Sequence, residues 1–264
     1  MLPDFVIIGT QKGGTSSLYQ YLAMHPDVLP AFKKEVHYFG WEYARGPRWY
    51  RAHFPLAWAR DAHARRLGTP AVTGEATPYY LFHPHVPGRM HALVPEARVL
   101  VLLRDPVSRA LSSYRHQVRQ GRETRPLLQA MTEEHATLAG EVARLEADPL
   151  YKGEAHRHFS YVSRGFYADQ LERWFAVYPR EQILVLRSED FFRETASVYA
   201  RVVEFLGLRP WAPSAFTPYN VARSQALRVE PDEAATRAWL AATYAPHNVR
   251  LESMLERNLG WTAP

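Results

Sequence analysis

The chain alternates short, dense apolar runs with long stretches rich in aromatic, polar and proline residues. Phe5-Val6-Ile7-Ile8-Gly9 is a five-residue run ended by glycine, which predicts a buried strand. A polar, glycine-rich segment follows from Thr10 to Thr15, and Ser16 to Met24 then predicts a helix stopped near His25-Pro26. Strand, loop and helix in that order open a parallel α/β unit. Residues 27–70 read as irregular with short helices, and Ala71 to Gly74 as a second short strand. Arg98 to Leu103 (Arg-Val-Leu-Val-Leu-Leu) is the densest strand pattern, and Gln182 to Arg187 is another.

Helical patterns fill most of the rest. After Arg104-Asp105-Pro106, steps of ~100° place Val107, Ala110, Leu111, Tyr114 and Val118 in one arc. Ser108, Arg109, Ser112, His116 and Arg119 fall opposite, so Ser112 is expected to point away from the core. Pro126 to Ala147 reads as one charged amphipathic helix with proline in its first turn. Leu150 to Arg164 reads as a polar, aromatic loop and Phe166 to Tyr178 as a helix. Thr195 to Leu206 reads as a helix capped by Thr195 and closed by Gly207. Two further helices are expected over Asp232 to Tyr244 and His247 to Asn258.

Composition narrows the class. The 264 residues suit one large α/β domain spanning 1–264. A hydrophobic fraction of 47% with 22% charged residues argues against disorder and coiled coil. There is no cysteine, which excludes disulfides, thiolate metal sites and cysteine nucleophiles. The net charge of +5 favours an anionic ligand without demanding nucleic acid. The first apolar run is too short for a signal-peptide core, and no stretch is long enough to span a bilayer; a cytoplasmic enzyme is the simplest expectation.

The loop Gly9-Thr10-Gln11-Lys12-Gly13-Gly14-Thr15-Ser16-Ser17 carries the first chemistry. Glycines let backbone N–H groups turn toward one anion, and the following helix aims its positive end at the same place. Thr15, Ser16 and Ser17 add hydroxyls, and Lys12 adds a point charge. This is not a Walker A loop, because Lys12 precedes the glycine pair instead of following it. By itself the pattern is also compatible with a plain turn bearing a surface lysine. Further along, Arg104 follows the strongest strand and Ser112 lies eight residues on. Strands of a parallel sheet end on one edge, where ligands bind. An Arg fork with a hydroxyl there suits a second phosphate.

Together these blocks resemble the sulfotransferase domains of the heparan sulfate family, the 3-O-sulfotransferases and the N-deacetylase/N-sulfotransferases. The resemblance runs from Lys12-Gly13-Gly14-Thr15 through Lys34-Glu35-Val36-His37-Tyr38-Phe39 and Glu75-Ala76-Thr77-Pro78-Tyr79-Tyr80. It continues in Arg104-Asp105-Pro106 with Arg109, Ser112 and Tyr114, then Gly165-Phe166-Tyr167 to Trp174 and Gln182 to Leu186. It implies an α/β fold: a single domain with a central parallel β-sheet flanked by helices and a P-loop-like phosphosulfate-binding loop. It implies 3′-phosphoadenosine 5′-phosphosulfate (PAPS) as sulfuryl donor, 3′-phosphoadenosine 5′-phosphate (PAP) as product, and no metal. Lys12, Gly13, Gly14, Thr15 and Ser16 would hold the 5′-phosphosulfate, and Arg104 and Ser112 the 3′-phosphate. Arg223 or Arg228 would stand in the family's basic C-terminal loop, although its Lys-Gly-Arg triplet and cysteines are absent.

The resemblance also assigns Glu35 as general base, matches His37 to a nearby family histidine, and places Lys12 on the leaving oxygen. For His37, orienting Glu35, binding acceptor and simple packing all stay open. Two positions depart from the 3-O-sulfotransferase pattern: Gly40 stands where an acid is expected and Ala76 where a lysine is expected. Both family residues handle an acidic sugar chain. The acceptor is therefore left as a sugar, a lipid or a natural-product hydroxyl or amine, small-molecule or carbohydrate, with no nucleic acid and no membrane insertion. The pairs His83/His85 and His156/His158 lack a third ligand at metal spacing and read as surface or packing residues. A P-loop kinase and a polyanion binder are the competing classes. The first needs its lysine after the glycines; the second needs a broad basic face, and here the charges are spread.

Overall fold

The structure is a computed structural model and describes residues 1–217, Tyr219 and 230–261. In chain order its elements are β1 (Phe5–Gly9), α1 (Thr15–Met24), α2 (Gly46–Arg51), α3 (Ala57–Leu67), β2 (Gly74–Ala76), α4 (Val86–Leu93) and β3 (Arg98–Leu103). There follow α5 (Pro106–Arg119), α6 (Leu127–Thr132), α7 (Glu134–Thr137), α8 (Glu141–Ala147), α9 (Glu154–His158) and α10 (Tyr167–Phe175). The chain ends with β4 (Ile183–Arg187), α11 (Ser188–Arg193), α12 (Thr195–Phe205) and α13 (Glu233–Leu255). Two compact units emerge: Met1–Leu103 with Trp174–Val221, and Arg104–Arg173 with Ala222–Pro264.

The first unit holds the sheet, with strand order β2-β1-β3-β4 and every pairing parallel. β1 and β3 are the central strands, and their apolar runs are buried on both faces, as a parallel sheet requires. Phe5, Ile7, Leu100, Leu102 and Leu186 pack with Leu18, Tyr21 and Leu22 of α1 and with Phe191, Tyr199 and Val202 of α11 and α12. Each such side chain contributes about 1.5–3 kcal/mol by leaving water. The remaining strand residues Val6, Ile8, Val99 and Val101 are equally buried. Trp174 and Tyr178 are buried in the same unit; Trp174 Nε1 donates to the Leu81 carbonyl (3.4 Å) and the Tyr178 hydroxyl to the Val94 carbonyl (3.0 Å).

The second unit is helical. Ala110, Leu111 and Tyr114 of α5 pack with Leu127, Ala130 and Met131 of α6, and with Leu240 and Tyr244 of α13. The wheel drawn from sequence needs turning. Arg109, Ser113 and Gln117 are buried and Val118 is 40% exposed. Arg109 is drawn inward because its Nη2 donates to the Tyr161 carbonyl. Ser112, on the far side from that buried face, is half-exposed as expected.

Other boundaries also differ. The expected helix over Pro126 to Ala147 is three helices, α6 to α8. Gly140 takes φ +75°, and Glu134 is buried to accept the Val162 and Ser163 amides (2.8 Å for Ser163). The two expected C-terminal helices are one, α13, which runs through Pro246; Tyr244 and Asn248 are buried on either side of it. β2 begins at Gly74, where the sequence pattern had a strand ending, so Glu75 lies within the sheet. α4 and α11 were missed because both are short.

Candidate functional site

The C-terminal ends of β1, β2 and β3 define one edge of the sheet. Ile7 stands opposite Ala76 and Gly9 opposite Val101, so the loop after β1 leaves the sheet where β2 ends. In that loop the Thr10 amide donates to the Leu102 carbonyl (2.8 Å) and the Gly13 amide to the Thr10 carbonyl (2.9 Å). Backbone φ is +72° at Lys12 and +97° at Gly14, with Gly13 between them outside the left-handed region. Alternating handedness of this kind turns successive N–H groups toward one concavity. Lys12 accepts a conformation that costs a side-chain-bearing residue roughly 1–2 kcal/mol.

Gly13 is required by space, and Gly14 chiefly by its left-handed backbone. A Cβ on Gly13 would lie 2.7 Å from the Leu102 carbonyl oxygen, and one on Gly14 would lie 2.8 Å from the Phe192 ring. The Ser188 hydroxyl at the start of α11 donates to the Gly13 carbonyl. Gly14 is the N-cap of α1 and brings no side chain to cap the first turn, which leaves that positive end for a ligand. Thr15 is buried and Ser16 half-exposed. Ser17 is a correction: it is fully buried, accepts the Tyr219 amide (2.9 Å) and donates to the Tyr219 carbonyl (3.3 Å), so its hydroxyl serves the fold.

The segment Lys34 to His37 forms the second cluster. Glu35 and His37 both take φ +59°, with fully buried Val36 between them. One Glu35 oxygen meets Lys34 Nζ at 2.6 Å and the other faces His37 Nε2 at 3.5 Å. Partial burial pushes the Glu35 carboxyl up, but the His37 hydrogen bond and the Lys34 charge outweigh it and bring the pKa to about 2. Glu35 is thus a carboxylate at neutral pH, with its side chain 41% exposed. The His37 ring stacks on Trp41 (centroids 3.7 Å, 27°), and Trp41 meets Tyr79 at 5.3 Å.

Glu75 heads the resembling block Glu75 to Tyr80, and the sequence assigns it no role. It is completely buried on β2. Its Oε2 accepts from the Val36 amide (3.3 Å) and the Thr77 hydroxyl (2.6 Å); its Oε1 accepts from the hydroxyls of Tyr50 (2.7 Å) and Tyr80 (3.2 Å). Burial pushes its carboxyl up, against these four donors. The Tyr80 hydroxyl in turn accepts the Phe39 amide at 3.3 Å. Ala76 is fully buried in the core.

Arg104 follows the last residue of β3 in the chain and belongs to the helical unit, where its carbonyl accepts from the Tyr167 hydroxyl (2.8 Å). Asp105 caps α5 by accepting the Ser108 amide at 2.7 Å, which gives it a structural task. Arg223 and Arg228 lie outside the described residues. His83 and His156 are buried, and His83 packs against Tyr79 at 5.5 Å. Among the described residues no helix is long and apolar enough to cross a membrane.

A parallel α/β sheet with a glycine-rich, lysine-bearing loop at its C-terminal edge is an arrangement shared by many nucleotide- and phosphate-binding folds. Among these folds the chain belongs to the sulfotransferase domain family, which matches residues 2–217 and so runs through both compact units. Human heparan sulfate glucosamine 3-O-sulfotransferase 3B1 is 33% identical over 208 residues, covering 79% of this chain and 47% of its own length. The membrane-associated sulfotransferase kil1 of Dictyostelium discoideum is 26% identical over 326 residues, covering 98% of this chain and 66% of its own. The chain therefore spans only part of these curated relatives. A solved sulfotransferase from Alicyclobacillus acidocaldarius is 32% identical, with each chain covered completely and a TM-score of 0.69.

Proposed function

We propose that the chain transfers a sulfuryl group from PAPS to a hydroxyl or amine of a small-molecule or carbohydrate acceptor, releasing PAP. What supports this reading, beside the family match, are two features tied to the paired strands β1 and β2, the second through the Val36 amide on Glu75. One is a glycine loop suited to an anion. The other is an ionised Glu35 held by Lys34 and His37.

In this reading Lys12, Gly13, Gly14, Thr15 and Ser16 bind the 5′-phosphosulfate, and Arg104 and Ser112 the 3′-phosphate. The loop fits such a group chemically: it offers backbone N–H donors, hydroxyls, a helix N-terminus and one ammonium. The acceptor oxygen or nitrogen forms a bond to sulfur while the bond from sulfur to the bridging phosphate oxygen breaks. Glu35 takes the acceptor proton, and Lys12 meets the charge that develops on the leaving phosphate. A carboxylate with a pKa of about 2 is a weak base. Its proton is therefore taken late, as the new bond to sulfur makes the acceptor acidic. His37 holds Glu35 on one side and stacks on Trp41 on the other. Trp41 and Tyr79 would form part of the acceptor surface.

The test is incubation of the protein with labelled PAPS and a panel of sugars, lipids and phenols, read by mass. The expected result is a sulfated product with PAP formed in equal amount. PAP formation with no acceptor modified in any class, or product formation from ATP and Mg²⁺ instead, rejects the proposal.

A further inference from the structure

Building on the sulfuryl-transfer reading, we infer that Glu75 is a positioning residue. By holding the Val36 amide, its buried carboxylate sets the place of Glu35 and His37.

The backbone demands such a holder. Two residues with side chains take φ +59° on either side of Val36, and left-handed positions persist only where surroundings over-determine them. Val36 supplies one fixed point by burying its side chain fully and another by donating its amide to Glu75 Oε2. Phe39 supplies a third, donating its amide to the Tyr80 hydroxyl, which itself donates to Glu75 Oε1. Beyond these, the amides of Gly40 and Glu42 converge on the His37 carbonyl at 3.2 and 3.3 Å. One carboxylate on β2 thus anchors the segment directly at Val36 and through Tyr80 at Phe39. β2 is paired to β1, from which the anion loop springs, so the anchor refers Glu35 to the same frame as Lys12.

The donor set gives the inference a sharp chemical form. Of the four groups on Glu75, three are hydroxyls, which can also accept, and one is the Val36 amide, which cannot. Glutamine can therefore replace Glu75 if its oxygen faces Val36 and Thr77 and its amide faces the two tyrosines. Aspartate keeps the charge but is one methylene short, and leucine keeps the volume but accepts nothing. The requirement is for reach and an acceptor, not for charge.

The experiment compares wild type with Glu75→Gln, Glu75→Asp and Glu75→Leu. It reads kcat with PAPS and a turned-over acceptor, the Kd for PAP, and the His37 ring resonances by NMR. Expected is a loss of kcat of about 10²-fold in the leucine variant, the scale of an ångström-level misplacement. PAP affinity stays within about twofold. The aspartate variant follows leucine, the His37 resonances move in both, and glutamine recovers most of the rate and the wild-type spectrum. Should leucine fail to fold, the aspartate and glutamine pair decides. Unchanged kcat and unmoved resonances in the aspartate variant overturn the inference, as does an equal fall of kcat and PAP affinity in every variant. A wild type that transfers no sulfuryl group, yet shows the same His37 pattern across variants, rejects the functional reading and supports Glu75 as the anchor.

Discussion

The anion loop and the Glu35 segment hang from neighbouring strands and are held by opposite means. The loop is held mainly through backbone: Thr10 donates to the Leu102 carbonyl, Gly13 to the Thr10 carbonyl, and the Gly13 carbonyl accepts from Ser188, while a Cβ at position 13 would strike Leu102. The Glu35 segment has no glycine at its left-handed positions, and its holder, Glu75, lies 39 residues from Val36. A loop of the first kind is intolerant of added atoms. A segment of the second kind depends on a remote carboxylate. Changes in the loop should therefore weaken nucleotide binding, whereas changes in the segment should lower turnover without weakening it.

Predictions that separate the two run from large effects to small. Lys12→Ala removes the charge assigned to the leaving phosphate. Transfer should fall by about 10³-fold, with weaker PAP binding, measured by single-turnover kinetics and calorimetry. Glu35→Gln should lower kcat about 10²-fold with PAP affinity unchanged; equal losses in both would merge the two regions into one. Gly13→Ala presses a Cβ to 2.7 Å from the Leu102 carbonyl oxygen, which is backbone and cannot give way. A loss of about 1–3 kcal/mol in denaturant unfolding is expected, with weakened PAP binding.

The smallest effect concerns pH. The folded pKa of Glu35, about 2, lies below the ordinary 4.5. Its contacts therefore stabilise the fold fully above that ordinary value, and the contribution is lost as pH falls through about 2. No acid limb from Glu35 is expected in the rate between pH 5 and 8. Lys34→Ala should raise the Glu35 pKa toward 4.5, seen by carboxyl NMR, and change the rate only a few-fold.

The contrast also explains what could be read from the chain. The loop is local in sequence, so Gly13, Gly14 and the strand before them announced it, and β1 and β3 matched their apolar runs. Glu35 came from resemblance, since spacing alone shows a carboxylate after two lysines. Glu75 was assigned no role because its partners at positions 36, 50 and 80 are separated in sequence and meet only through folding. Arg109 was assigned to the polar side of α5 because periodicity does not know that Tyr161 offers a carbonyl inside. Two helices are expected over Asp232 to Tyr244 and His247 to Asn258, yet α13 runs through Pro246 with Tyr244 and Asn248 buried on either side.

The central claim is that the Lys12 loop receives the 5′ end of a 3′-phosphorylated adenosine nucleotide. Calorimetric titration with PAP, and separately with ATP and Mg²⁺, tests it most directly. The account predicts saturable PAP binding that Lys12→Ala weakens by at least about tenfold, and weak or no heat from ATP. Tight ATP binding with no PAP binding, or PAP binding indifferent to Lys12, would contradict it.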